Sequence, residues 1–585
     1  MTSIDKDMPT IAYPKYTAEL HTKERVLIVT ESFSLLDQPW ILTTLTDGSA
    51  AELSLREIFD GSHSVASIRG DSPLQDAAIY RLLLSIYWCA HRQELESDPA
   101  AELDMTEWIP ERLEAAAENE SDQAVLKYLE CYANRFDLLD PKQPFMQVAD
   151  LRKSNNETFS VRRLVPEFEK DFFALRAGDG AESLTFAEAT RWLIYIQAYD
   201  YGGNKPGAVG DPRVKDNKGY RVSKGWTGAI TATTILGSNL KETLALNTTD
   251  SVLQAEGDHP VWEREPDTSS QRLDPKNDDG IHPKGPAEIL TWQSRRVRLF
   301  SDEGRITQVL VTHGDRILNK NANVTVDPMT PYRLSKKGSS RTPGAYYPKP
   351  LDPERTMWRS LEPLIALETD PVYVDKDQTT KRPETIDEIA YLKENGVELP
   401  ANLNVSMCSM QYGTSASVVD FSISTRIELP LEILPRTALD QRLAILNLVA
   451  ATGQAGDRLG KFAVQLLQAA GRTATEKNPK RAKEKTKPGL AATDALLAEL
   501  EPKFNDWLKT LHESDLETHL RAWELTVRYA VLQHAEVLIA GAGPRALTGR
   551  FLETPDGTKR LVSAGIAMSS LQKNLSEILP RSVPR

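Results

Sequence analysis

The chain has 585 residues, 40% hydrophobic and 26% charged, with a formal net charge of −13. Such a length exceeds what one hydrophobic core organises, so more than one structural unit is expected. The acidic balance argues against a free-standing nucleic-acid binder, whose surface is ordinarily basic, but leaves room for local basic patches.

The three cysteines, Cys89, Cys131 and Cys408, are too dispersed for a disulfide framework or a Cys-x-x-Cys zinc site, which points to a reducing compartment. The polar N-terminal stretch lacks the basic-then-apolar order of a secretion signal, and no run of 18 apolar residues occurs. A cytoplasmic protein without a membrane span is expected.

In SFSLLDQPWILTTLTDGSAAELSLREIF two short strands flank Asp47-Gly48, a hairpin signal. Residues 74–90 place Leu74, Ala78, Leu82, Ile86 and Tyr87 on one helical face, and a further helical pattern covers 121–132. The pattern over 184–199 predicts a helix that delivers the chain into residues 202–228, GGNKPGAVGDPRVKDNKGYRVSKGWTG. That stretch holds seven glycines and six basic residues (Lys205, Arg213, Lys215, Lys218, Arg221, Lys224) against Asp211 and Asp216. Glycine permits close backbone approach and positive φ, and clustered Lys and Arg attract phosphate. Two readings stay open: a loop that meets an anionic polymer at backbone distance, or a flexible surface loop.

Residues 249–286 read as a long irregular excursion. Strand-like segments follow at 289–300 and 306–312, joined by a turn at 301–304. Residues 313–356 are loop-rich and basic, a length that suits a loop covering a partner. CSMQYGTSAS (408–417) reads as a hairpin tip that projects Gln411, Tyr412, Thr414 and Ser415. Beyond residue 430, helical patterns at 438–470, 491–511, 516–539 and 561–579 predict an antiparallel four-helix bundle. One connection there, GRTATEKNPKRAKEKTKPG, is strongly basic. The expected fold class is α+β: a large mixed N-terminal domain with long loops over 1–430, and the bundle over 431–585.

Catalytic signatures are missing: no phosphate loop, no His-Glu-x-x-His, no Gly-x-Ser-x-Gly and no kinase motif. No enzyme activity and no cofactor are therefore expected. Asp278 and Asp279 beside His282 could serve a metal-dependent hydrolase, but their polar loop, with Gly280 and Pro283, favours a solvated turn. Phe172 and Phe173, ahead of a glycine-containing segment, either stack on or wedge between bases or anchor their loop to the core. A binding function leads, with a pure scaffold as a further alternative.

Several motifs occur in a telling order: FSLLDQPWI (33–41), QPFMQV (143–148), NKPGAVGDP (204–212), LTWQSRRVRLF (290–300) and MCSMQYGTSASVVD (407–420), then the helical C-terminal part. Together they resemble the CasA family, the large subunit of the type I-E CRISPR complex Cascade, over nearly the whole chain. The resemblance implies a non-catalytic subunit that inspects duplex DNA for a protospacer-adjacent motif, largely from the minor groove, before the guide RNA pairs with the target. It implies a glycine loop at Gly207 and Gly210, and a basic residue on a second loop at Arg316 or Lys320. It implies a hairpin wedge over Gln411, Gly413, Thr414, Ser415 and Ala416, and a further DNA-contacting loop at Phe172 and Phe173. Relatives carry glutamine at the wedge tip; here Thr414-Ser415 stands before Ala416 and Gln411 comes earlier, so the wedge residue stays open between them. The implied partners are double-stranded target DNA, CRISPR RNA-containing Cascade subunits and a helicase–nuclease. Some relatives have a mid-chain cysteine cluster, which this chain lacks, so no structural metal is expected.

Overall fold

The computed structural model describes residues 31–97, 102–165, 182–219, 223–272, 280–317, 326–335, 345–348, 350–351, 361–371, 378–413, 416, 418–471, 479–513, 515–553 and 558–583. Asp47 accepts the amide of Ser49, and Gly48 takes φ +86°. The chain therefore reverses where the sequence marks it, pairing β1 (Ile41–Leu45) with β2 (Ala50–Leu53), while β3 (Val65–Ile68) adds to the other side of β1. The helix expected over 74–90 is longer than predicted: α1 runs Pro73–Ser97. Its expected apolar face is buried, but so are Leu83, Leu84 and Trp88 around it, as befits a helix enclosed on all sides. Helices α2 (Met105–Ala117) and α3 (Gln123–Cys131) follow.

Helix α4 (Phe186–Tyr199) starts at a capping box, in which Thr185 Oγ1 accepts the Glu188 amide and Glu188 accepts the Thr185 amide. Such a cap satisfies two otherwise unpaired backbone donors and contributes about 1 kcal/mol. It fixes where the helix begins and hence where it releases the chain, at Asp200. α4 packs on α1.

Three three-stranded antiparallel sheets carry the middle of the chain. β4 (Phe159–Ser160), β7 (Arg305–His313) and β6 (Arg295–Asp302) form one, with the expected tight turn at Glu303-Gly304, both at positive φ. β5 (Thr231–Leu236), β11 (Asn402–Tyr412) and β12 (Val419–Pro430) form the second, in the order β12-β11-β5. β8 (Tyr332–Ser335), β9 (Ala345–Pro348) and β10 (Gln378–Lys381) form the third. Within the expected excursion over 249–286, the described residues 249–272 and 280–286 are largely irregular but firmly anchored. Buried Asp258 accepts the amides of Ala287 and Glu288 and pairs with Arg92 at 3.0 Å.

The C-terminal region holds four long helices: α5 (Leu439–Ala469), α6 (Pro479–Lys509), α7 (Leu516–Ala542) and α8 (Ala564–Ile578). Their cross-contacts run in opposite senses. Thr493 donates to the Gly456 carbonyl while Gly489 faces Gly460; Glu499 meets His534 while Trp507 meets His519; Arg528 reaches Ser576 while Glu524 meets Arg581. The helices are therefore antiparallel in sequence order. Trp523 donates to Thr452, which closes α7 onto α5.

Two features differ from expectation. α6 begins at Pro479, so much of the basic connection is helix, consistent with the strong helix propensity of Lys, Arg, Glu and Ala. A small hairpin, β13 (Arg550–Glu553) with β14 (Lys559–Val562), also stands between α7 and α8. The apolar core continues across residue 430, and the buried Arg442–Asp370 pair, at 2.7 Å, ties α5 to the mixed region.

Candidate nucleic-acid interface

Topology brings the glycine-rich segment, the 314–317 segment and the β11–β12 hairpin tip to one place. β5 enters its sheet antiparallel to β11, with Thr231 opposite Ser409, so the chain leading into β5 lies at the end of the sheet where β11 turns into β12. In the other sheet, Arg295 at the start of β6 pairs with His313 at the end of β7. Arg295 is the hub. It is fully buried, pairs with Asp200 through Nε, and donates through Nη2 to the carbonyls of Tyr201, at 2.8 Å, and Ser223, at 2.7 Å. One guanidinium thus clasps the chain where the glycine-rich segment begins and, at Ser223, where it returns toward β5.

Within that segment the chain is organised rather than slack. Lys215 and Lys218 exchange both backbone hydrogen bonds across Asp216 and Asn217, which have φ of 50° and 58°. Positive φ at both central residues is the mark of a type I′ hairpin turn. The ladder continues through Gly207, whose amide donates to Asn217, and Gly219, whose amide donates to Lys205. Gly207 is buried, and a Cβ there would lie 2.5 Å from Val214 Cγ1, so its smallness serves this packing. Gly210 is exposed with φ +94°, beside Val209, which is 41% exposed. Val209 and Gly210 form the presented tip.

The basic residues divide by environment. Lys205 is buried and paired with Asp200 at 2.9 Å, whereas Lys215 and Lys218 are exposed. Asp200 lies between Arg295 and Lys205, and these two cations outweigh its burial to hold its carboxyl below the usual range. His313 is buried beside them with neither ring nitrogen hydrogen-bonded; burial, with Arg295 and Lys205 nearby, pushes its pKa down to about 3. Two residues on, Asp315 is held by Arg272 at 2.5 Å and Arg296 at 2.7 Å. Arg316 follows, half-buried; its carbonyl accepts the Ile281 amide, and its guanidinium has no protein partner among the described residues.

The hairpin expected at 408–417 forms, with β11 and β12 paired as far as Tyr412 and Val419. Gly413 donates to the Val418 carbonyl, and a Cβ there would lie 2.9 Å from Asp420. Ala416 takes φ +51° and accepts the Gly202 amide at 2.7 Å. Gln411 stands on β11 opposite Phe421, half-buried, below the tip. Tyr412 corrects the expectation that it projects. Its hydroxyl turns inward to donate to the Tyr199 carbonyl at 2.6 Å, because the absence of a side chain at Gly228 leaves room for the ring.

Lys320, Thr414, Ser415, Phe172 and Phe173 lie outside the described residues, as do Asp278 and Asp279; His282 is exposed. Among the described residues no group of three or more His, Cys, Asp or Glu is arranged to hold a metal ion, and no helix is long and apolar enough to cross a membrane. Sequence reading missed Asp200, Arg295 and the inward role of Tyr412. A signal existed in QSRRVR: adjacent arginines at the start of a strand place one on each face, and both Arg295 and Arg296 are buried.

Comparison with known proteins sets this arrangement among the CRISPR-associated proteins: the family described as CRISPR-associated protein Cse1 matches residues 34–534. The chain belongs to the Cse1 family, and the CasA membership expected from the ordered motifs is borne out. It is 29% identical over 346 residues to CasA/Cse1 of Thermus thermophilus, an alignment that spans 57% of this chain and 60% of that protein. The crystal structure of Thermobifida fusca Cse1 matches with a TM-score of 0.80 at 32% identity, covering 94% of this chain and 99% of that one. A chain of a solved CRISPR RNA-guided surveillance complex shares the fold, with a TM-score of 0.58 at 19% identity, over 87% of this chain and 99% of that one.

Proposed function

We propose that this chain is a non-catalytic subunit of an RNA-guided surveillance complex in the cytoplasm, where it inspects double-stranded DNA for a short motif beside the target. The observation that carries this reading is the convergence around Arg295 of an exposed glycine-bearing tip, an arginine at 316 whose guanidinium meets no partner among the described residues, and a hairpin tip tied to Gly202. At the Val209-Gly210 tip, Gly210 lets the backbone enter a minor groove with no side chain of its own in the way. That groove chiefly separates A·T from G·C, so the readout tolerates some sequence variation. Arg316 or Lys320 supplies the basic contact, and Gln411 through Ala416 starts strand separation. Guide pairing then reads the remaining sequence, a division of labour general to RNA-guided effectors. The helical C-terminal region contacts the other subunits, and the opened target admits a helicase–nuclease.

The test is Gly210→Leu in the reconstituted complex. The substitution strains a backbone at positive φ and obstructs the tip. Affinity for a motif-bearing duplex falls about tenfold, in line with the 1–3 kcal/mol that a base contact contributes. Affinity for a duplex lacking the motif changes much less. Equal loss on both duplexes sinks the recognition role.

A further inference from the structure

The cations at the base of the candidate interface are almost all neutralised by protein. Lys205 and Arg295 share Asp200, while Arg272 and Arg296 share Asp315. Lys224 breaks this pattern. It is half-buried in the returning limb of the glycine-rich segment, next to Ser223, which Arg295 clasps, and no carboxylate pairs with it among the described residues. Its ammonium lies over the ring of Tyr412, with Nζ 5.1 Å from the centroid.

That contact places the ammonium at the root of the hairpin tip. Tyr412 is fixed by its hydroxyl on Tyr199, and the tip is fixed by Gly202 on Ala416. A cation over an aromatic face gains about 0.5–2 kcal/mol, which offsets only part of the cost of removing it from water. The same burial pushes the Lys224 pKa below the ordinary lysine value. A half-buried, uncompensated ammonium on a rigid aromatic seat is a preformed place for an anion.

We propose that Lys224 binds a backbone phosphate of the target DNA where the duplex meets the hairpin tip, with Tyr412 as the residue that positions it. The proposal rests on the DNA-inspecting reading above, and adds a contact that neither the glycine tip nor the 316 segment provides. Lys rather than Arg suits the site, since a compact ammonium on an aromatic seat acts as a point charge toward phosphate.

The experiment compares wild-type, Lys224→Gln and Lys224→Arg chains in the assembled surveillance complex. Duplex affinity is titrated across salt concentrations, with and without the flanking motif, and the thermal unfolding of each chain is recorded. Loss of one phosphate contact lowers the slope of log affinity against log salt by about 0.9. Lys224→Gln is therefore expected to show that reduced slope on both duplexes and an affinity loss of about fivefold near physiological salt. Lys224→Arg keeps most of the slope. An affinity loss in Lys224→Gln without a change of slope overturns the proposal, because it assigns Lys224 only to the support of Tyr412; so does an unchanged affinity. Failure of the broader reading looks different: the wild-type complex itself shows no motif preference, whatever Lys224 does to the slope.

Discussion

The amide of Gly202 donates to the carbonyl of Ala416 across 2.7 Å, joining the first residue of the glycine-rich segment to the tip of a hairpin more than two hundred residues further along. Tyr412 makes the second link, through its hydroxyl on Tyr199 at 2.6 Å. Two hydrogen bonds therefore tie the two elements together, which suits the proposed division between motif reading and strand opening.

Gly228→Ala tests that link. A Cβ at 228 would stand 1.8 Å from Tyr412 Oη, so the hydroxyl must leave the Tyr199 carbonyl. The variant is expected to lose about 1–3 kcal/mol, as for other overpacked sites, and to weaken motif-bearing duplex binding in the complex. Denaturant unfolding alongside binding checks both. Wild-type stability in this variant contradicts the packing described.

Asp200→Asn tests the clasp. It leaves Arg295 and Lys205 buried without their anion. Breaking such a pair costs about 3–5 kcal/mol. Unfolding midpoints report the loss, and limited proteolysis within 202–228 is expected to accelerate because the clasp on the segment is released. An unaltered cleavage pattern argues that other contacts hold it.

Much of this was legible in the sequence, and the failures have physical reasons. Local signals succeeded: Asp47-Gly48 gave its hairpin, and apolar spacing gave the helices from 439 onward. The glycine-rich segment was located but left open between an organised loop and slack. Its order comes from the Asp216-Asn217 turn and from Arg295, which stands 95 residues from Asp200 and leaves no local pattern linking the two. The reading of 408–417 as a hairpin tip makes Tyr412 project, because a turn signal shows where the chain reverses and not which side chains find room inside. The space that decides the matter lies at Gly228, on another element.

His313 gives a pH prediction. Its folded pKa lies near 3, below the ordinary 6.5, so between those values the unfolded chain binds a proton that the folded chain excludes. Stability from this residue is complete above about pH 6.5 and declines as pH falls toward 3. His313→Leu is therefore expected to flatten the acid limb of a stability-against-pH curve. A limb as steep as that of wild type shows that other groups dominate it.

Whether this chain reads a motif beside the target is decided by titrating the reconstituted complex against duplexes with randomised flanking triplets, with and without this subunit. A graded preference among triplets is expected that appears only when the subunit is present and collapses in Gly210→Leu. A preference that survives removal of the subunit, or an equal affinity for every triplet in its presence, contradicts that reading.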